Sequence, residues 1–173
     1  MNGFLLLIPS ILIRYLLLFL LSKEAMKRAA HFAPLAGAEK IAYWIYQIST
    51  LSILIYSFFL KVNVQQSWLF YIGVALYVIG LAFLILSMVT YSSPSSTGIN
   101  LNGLYRLSRN PIYVSYFICF LGCAALTQSF VLLGFVFLFQ ISAHWIILSE
   151  ERWCIEKFGV EYQEYMKKVR RYI

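Results

Sequence analysis

Trp68-Leu-Phe-Tyr-Ile-Gly-Val-Ala-Leu-Tyr-Val-Ile-Gly-Leu-Ala-Phe-Leu-Ile-Leu-Ser-Met-Val89 carries neither a charge nor a proline. A helix needs roughly 20 such residues to cross a hydrocarbon core of about 30 Å. In lipid every backbone N–H and C=O must be satisfied within the chain, so a lone segment of this kind reads as a helix. Four further apolar runs surround it: Phe4–Leu21, Ile41–Leu60, Ile112–Leu126 and Phe130–Leu148. The whole chain is 61% hydrophobic and 12% charged, with a mean hydropathy of +0.76, more apolar side chain than a soluble core of 173 residues can hide. The expected architecture is an all-α integral membrane protein of five spans, at about 4–21, 41–60, 68–89, 112–126 and 130–148. Residues 149–173 form a C-terminal helical cap, and the chain is a single membrane domain over 1–173.

The first run resembles a secretory signal in length only. No basic residue precedes it, Arg14 interrupts it and no small-residue cleavage site follows, so it reads as a mature helix. Asn2 and the closing Arg170-Arg171-Tyr172-Ile173 offer neither a myristoylation nor a prenylation site.

Charge orients the five spans. Segments 22–40, 90–111 and 149–173 share one side and hold twelve of the fourteen basic residues and all seven glutamates, while Lys61 lies opposite. Cytoplasmic loops are enriched in Lys and Arg, so this side is expected to be cytoplasmic and the N-terminus outside. A net charge of +7 on such a face suits anionic lipid head groups; no soluble basic groove points to nucleic acid. Cys119, Cys123 and Cys154 lack metal-ligand spacing to histidine, and Cys119 and Cys123 read as packing residues at i, i+4. No metal site is expected.

Two polar constellations remain. Gly103-Leu-Tyr-Arg-Leu-Ser-Arg-Asn-Pro-Ile-Tyr113 places a turn glycine, tyrosines, arginines and a helix-starting proline at the mouth of a span. Glu150-Glu151-Arg152 leads into Phe158-Gly159-Val160-Glu161-Tyr162-Gln163-Glu164-Tyr165, where Tyr162, Tyr165 and Val169 trace one side of a helix able to fold back as a lid.

Together these blocks resemble the isoprenylcysteine carboxyl methyltransferase family. Gly103-x-Tyr105-x-x-x-Arg109-Asn110-Pro111-x-Tyr113 is similar to its Gly-x-Tyr-x-x-x-Arg-His-Pro-x-Tyr block. Glu150-Glu151 followed by Phe158-Gly159-x-x-Tyr162-x-x-Tyr165 is similar to its C-terminal signature. The resemblance implies an S-adenosylmethionine-dependent membrane methyltransferase without a Rossmann domain. Its cofactor would sit at the cytoplasmic helix ends, and its lipophilic acceptor would arrive from the bilayer. Gly73 and Gly80 accordingly read as helix-packing contacts, not as part of a dinucleotide motif.

On this reading Arg109 and Glu150 are the catalytic candidates. Arg109 would clamp a carboxylate, either the acceptor's or the cofactor's, through its planar fork. Tyr105, Asn110, Pro111, Tyr113, Glu150 and Glu151 join Arg109 as cofactor-binding candidates, with a glutamate receiving ribose hydroxyls or the cofactor's ammonium. Tyr113 and His144 are the substrate-side candidates, although His144 also suits a helix–helix hydrogen bond. Asn110 stands where the family has His: Asn can fill a role in cofactor hydrogen bonding or backbone shape, whereas a proton-transfer role would have to be met elsewhere in the chain. A carboxylate is the favoured acceptor, with hydroxyl methylation and phospholipid N-methylation as alternatives. An NADPH-dependent sterol-type reductase and a non-catalytic lipid-binding protein are the other classes compatible with these blocks.

The blander readings are specific too: arginines and tyrosines anchor helices at lipid interfaces, and Glu150 and Glu151 can be solvated partners of Arg152 or Lys157. Arg14, inside an apolar run, either snorkels or faces a wet cavity. Gln47, Ser49, Thr50 and Ser52 are expected to face the bundle, and His31 an exposed loop.

Overall fold

The computed structural model describes residues 1–29, 33–95 and 98–173, and His31 lies outside them. Among the described residues the chain is helical without strands, in seven helices. α1 spans Gly3–Leu21, α2 Lys23–Ala29, α3 Glu39–Ser57, α4 Trp68–Ser92, α5 Pro111–Thr127, α6 Phe130–Phe158 and α7 Val160–Lys168. A 3₁₀ turn over Gly103–Arg106 interrupts the linker between α4 and α5.

Helix starts follow the chain's local chemistry. The side chains of Asn2, Ser67 and Ser129 accept the N–H groups of Phe4, Phe70 and Leu132, each satisfying an orphan donor of a first turn. Pro111 occupies the first turn of α5, where its missing N–H costs nothing. α1 begins as a 3₁₀ turn and passes through a π turn over Ile13–Leu17, which contains Arg14.

Among the described residues three helices are long and apolar enough to cross a membrane: α1, α4 and α6. Two of the expected five spans therefore differ. α5, at 17 residues, is a shorter apolar helix. α3 ends at Ser57, three residues before the apolar run does, and its charged first turn and Gln47, Ser49, Thr50 and Ser52 dilute its hydropathy. α6 also corrects the expected boundary at Leu148. It continues without a break through both glutamates to Phe158, where Gly159 turns the chain at φ 57°.

Glycines let α4 and α5 touch backbone to backbone. A methyl group on Gly80 would collide with the Cys119 backbone, and one on Gly122 would lie 2.5 Å from the Tyr77 nitrogen. Gly73 and Gly80 are thus packing contacts, as their placement in an apolar helix suggested. Leu7, Ile53, Phe120, Val136 and Phe139 join α1, α3, α5 and α6 in one buried cluster, and Leu18, Ala25, Leu84 and Met88 form another. At the end of the bundle near Asn2, Asn63 N–H donates to the Leu126 carbonyl, Gly3 N–H to that of Leu60 and Val62 N–H to that of Met1. Apolar side chains such as Leu20, Ile48, Val78 and Ile141 point outward, as a lipid-facing surface requires.

α7 folds back on the linker. Tyr162 and Tyr165 bury against Ile99, and Tyr165 Oη donates to the Tyr105 carbonyl at 2.6 Å. Val169, expected on the same helical side, packs there from an extended residue just past the end of α7.

Candidate functional site

Gly103 starts the site from the backbone up. Its φ of 54° is in the left-handed region, and a methyl group there would run into the Thr90 hydroxyl. The 3₁₀ turn that follows buries Tyr105 and delivers Arg109 and Asn110 to the start of α5. These two meet the C-terminal segment. Arg109 N–H donates to the Arg170 carbonyl at 2.9 Å, and Asn110 Nδ2 and Ser108 Oγ both donate to that of Arg171.

The Arg109 side chain spends four of its five N–H donors on the protein itself. Nε and Nη2 donate to Glu151 Oε1 at 3.0 and 2.7 Å, and Nη1 donates to the carbonyls of Met166 and Val169 at 3.0 and 2.9 Å. Arg171 completes the joint from the other side, with Nη2 2.8 Å from Glu151 Oε2. The two side chains of the central pair are only 7% and 5% exposed. The shared carboxylate also holds the Arg171 guanidinium above the usual arginine range through its hydrogen bonds.

Glu150, one residue earlier and about 100° around the helix, takes another course. Tyr113 Oη donates to its Oε1 at 2.9 Å, and among the described residues its second oxygen accepts no hydrogen bond. Glu150 and Tyr113 line a cavity of about 810 Å³ walled by residues of all seven helices and the linker, Lys27 and Arg28 of α2 among them. Tyr105, Arg109 and Asn110 reach the same cavity, as do Arg14, Tyr46, Asn100, Tyr116 and Trp153. Its walls are aromatic, with Tyr46 between Phe139, tilted at 5.0 Å, and Tyr113, edge-on at 6.4 Å.

The expected site residues therefore divide. Tyr105, Arg109, Asn110, Tyr113 and Glu150 come together on the cavity. Pro111, Glu151 and His144 do not line it: Pro111 is spent on starting α5, Glu151 on the joint, and His144 Nδ1 pairs with Tyr172 Oη at 2.7 Å. Arg152, expected beside the glutamates of its own helix, instead holds Glu39 at 2.7 Å and the Pro34 carbonyl at 3.0 Å. Its hydrogen bonds depress the Glu39 carboxyl to about 2. The stability from this pair is complete above the ordinary glutamate range near 4.3, and fades only as pH falls from there through about 2.

Gln47 and Thr50 face the cavity as well as the bundle. Tyr46, Tyr116 and Asn100 carried no sequence signal, because a tyrosine or asparagine near an interface is unremarkable one at a time. Arg14 did carry one, as a charge in an apolar run.

The geometry also meets the needs of a cofactor rich in N–H and O–H donors. Among the described residues Asn100 Oδ1 is a buried acceptor with no partner, and the Glu150 carboxylate is a second acceptor on the same cavity. The volume is within the range of small-molecule sites. A family model described as phospholipid methyltransferase matches residues 59–161, which include both motif blocks up to the start of α7. No curated protein and no solved structure matches the chain.

Proposed function

The chain belongs to the phospholipid methyltransferase family, and from that premise we propose that it transfers a methyl group from S-adenosylmethionine to a lipophilic acceptor at the cytoplasmic membrane interface. The observation that carries this reading is the convergence of Tyr105, Arg109, Asn110 and Tyr113 with Glu150 on one cavity that opens among apolar helices. When bound, the cofactor supplies an electrophilic methyl group on its sulfonium. The protein's part is to bind, orient and exclude water, and positioning alone can supply several kcal/mol of the barrier, on the order of 7–11 in well-oriented cases.

Glu150 and Asn100 are the acceptors for the cofactor's ammonium and ribose hydroxyls, with Tyr105 and Trp153 bounding the pocket. Tyr113 holds Glu150 Oε1 and leaves the other oxygen for ligand or proton. Arg109 acts by holding the C-terminal segment closed over the cavity through Glu151, and so positions Tyr162 and Tyr165 in its wall.

The finer reading is an isoprenylcysteine carboxyl methyltransferase-like enzyme in a single five-span domain, N-terminus outside, with residues 149–173 as a cytoplasmic cap. The spacing of the Gly103–Tyr113 and Glu150–Tyr165 blocks supports it, and so does the concentration of basic residues on one side. A carboxylate acceptor, already ionised, needs no base. The family description supports a second acceptor, a phospholipid amine. That group arrives protonated, and the unbonded oxygen of Glu150 is the place for its proton.

Mass spectrometry of lipid extracts incubated with the protein and methyl-labelled cofactor decides the acceptor. One labelled lipid, ester or methylamine, is the expected product. Binding of NADPH in preference to S-adenosylhomocysteine would overturn the methyl-transfer reading in favour of a reductase.

A further inference from the structure

Arg14 is a half-buried cation that, among the described residues, has no carboxylate within ion-pair distance. Arg109 and Arg171 share Glu151, and Arg152 has Glu39. Arg28 donates to the Tyr91 carbonyl and stacks on its ring at 5.2 Å. Among the described residues Arg14 makes one hydrogen bond, from Nη2 to the Ala29 carbonyl at 2.9 Å. A guanidinium has five N–H donors and keeps its charge in a protein, so most of this fork faces the cavity unanswered.

Placing it there is costly. A charge within a membrane helix is expensive to insert, and a π turn at such a position is a frequent mark of a functional site. Glu150 lines the same cavity but does not come within ion-pair distance of Arg14. The two opposite charges are near enough to feel each other yet are not paired, and each keeps hydrogen-bonding capacity for a ligand group.

The cavity grades from polar to apolar along the helices. On α5 the lining residues run Tyr113, Tyr116, Phe120, and on α1 they run Arg14, Ile11, Leu7, both at helical spacing away from Glu150. Arg14 is at the border. Beyond it the walls are Leu7, Ile11, Ile53, Leu54, Phe120 and Phe139.

We propose that Arg14 is the anion-binding residue of the acceptor subsite, and that the protein selects lipophilic acceptors whose carboxylate or phosphodiester lies directly at the head of an apolar chain. This rests on the reading of the cavity as the methyl-transfer site. The anion seats on the Arg14 fork beside Tyr46 and Tyr116, and the chain fills the apolar end. Neutral lipids of equal length lack the charge-assisted pairing.

The test is ligand binding by purified protein in a neutral detergent. The probes are a long-chain fatty acid, its alcohol and phosphatidylglycerol. Charge-assisted hydrogen bonds are worth about 1.5–3 kcal/mol, so the wild type is expected to prefer the acid over the alcohol by about 10- to 100-fold. Arg14→Gln should abolish that preference at unchanged S-adenosylhomocysteine affinity, and Arg14→Lys should retain part of it. Tighter binding of phosphatidylglycerol than of the acid assigns the subsite to a phosphodiester, and the reverse to a carboxylate.

Equal wild-type affinity for acid and alcohol would overturn the proposal, as would an Arg14→Gln protein that keeps the preference. If Arg14→Gln fails to fold, the wild-type ratio and the Arg14→Lys variant still decide it. The S-adenosylhomocysteine titration separates the two readings: its failure in the wild type removes methyl transfer and leaves the anion preference to the acid-to-alcohol ratio.

Discussion

Glu150 and Glu151 are neighbours in sequence and strangers in structure. Glu151 lies in a closed joint, where it binds Arg109 and Arg171 and is 4% exposed. Glu150 lies on the cavity, held by a single tyrosine hydroxyl with one oxygen unbonded. About 100° of helix rotation separates a strut from the proposed reagent. The most strongly bonded charges of the motif region maintain architecture, whereas Glu150 and, on α1, Arg14 keep unfilled hydrogen-bonding positions on the cavity. A buried pair costs much to desolvate and more to break, which suits a joint; a group committed in that way cannot also exchange partners with a ligand.

The comparison is most directly broken at Glu151. Glu151→Gln leaves Arg109 and Arg171 facing each other without their carboxylate, and loss of one partner of a buried pair typically costs about 3–5 kcal/mol. Thermal unfolding in detergent should show a large fall in Tm. S-adenosylhomocysteine binding should fall with it, because α7 forms part of the cavity wall. A stable Glu151→Gln protein with selectively lost turnover would make Glu151 the reagent and reverse the assignment.

Glu150→Gln should do the opposite. The amide oxygen still accepts from Tyr113, so Tm is expected to move by no more than about 1 kcal/mol equivalent. Methyl transfer should fall by about 10²-fold or more if the acceptor is an amine whose proton goes to Glu150. With a carboxylate acceptor the loss should appear in cofactor affinity instead. Parallel loss of Tm in both glutamine variants would erase the distinction.

Gly103→Ala probes the platform beneath the joint. A methyl group there meets both a left-handed φ and the Thr90 hydroxyl, each a local strain on the order of 1 kcal/mol or more. Chemical denaturation should read a loss of about 1–3 kcal/mol, with S-adenosylhomocysteine affinity reduced only in proportion to the unfolded fraction. A stability equal to wild type would show that the turn before Arg109 is not set by this residue.

The helical character of the chain was legible because a charge-free run such as Trp68–Val89 allows little else. So was the meeting of the two motif blocks, through their spacing and the shared polarity of their side. The division of labour between Glu150 and Glu151 was not. Adjacent carboxylates look alike in sequence, and the choice is made by Arg171, 20 residues further on, reaching the Glu151 side of α6. Arg109 was read as a clamp for a ligand's carboxylate; the carboxylate in its fork is the chain's own. The α6 boundary was missed because polarity at Glu150 marks a change of surroundings, whereas the backbone helix ends only where Gly159 permits the turn. His144, by sequence either a substrate-side group or a helix–helix hydrogen-bond partner, does make a hydrogen bond, but with Tyr172 in the tail, which carries no helix for the sequence to signal.

Asn110→His is the smallest expected effect and the finest test of the contrast. Asn110 belongs to both regions: it lines the cavity, yet its Nδ2 donates to the Arg171 carbonyl at 3.2 Å beside the Arg109 joint. If its duty is to the joint, a histidine serves as well, because an imidazole N–H can make the same donation. Stability should then change by less than about 1 kcal/mol and turnover by less than about threefold, the range of one neutral hydrogen bond remade. The rate profile between about pH 6 and 8, where a histidine titrates, should gain no inflection. A histidine variant more than about tenfold faster, with a new inflection in that window, would mean that protons pass at the joint as well as at Glu150. The separation between strut and reagent would then lie within residue 110 and not between residues 150 and 151.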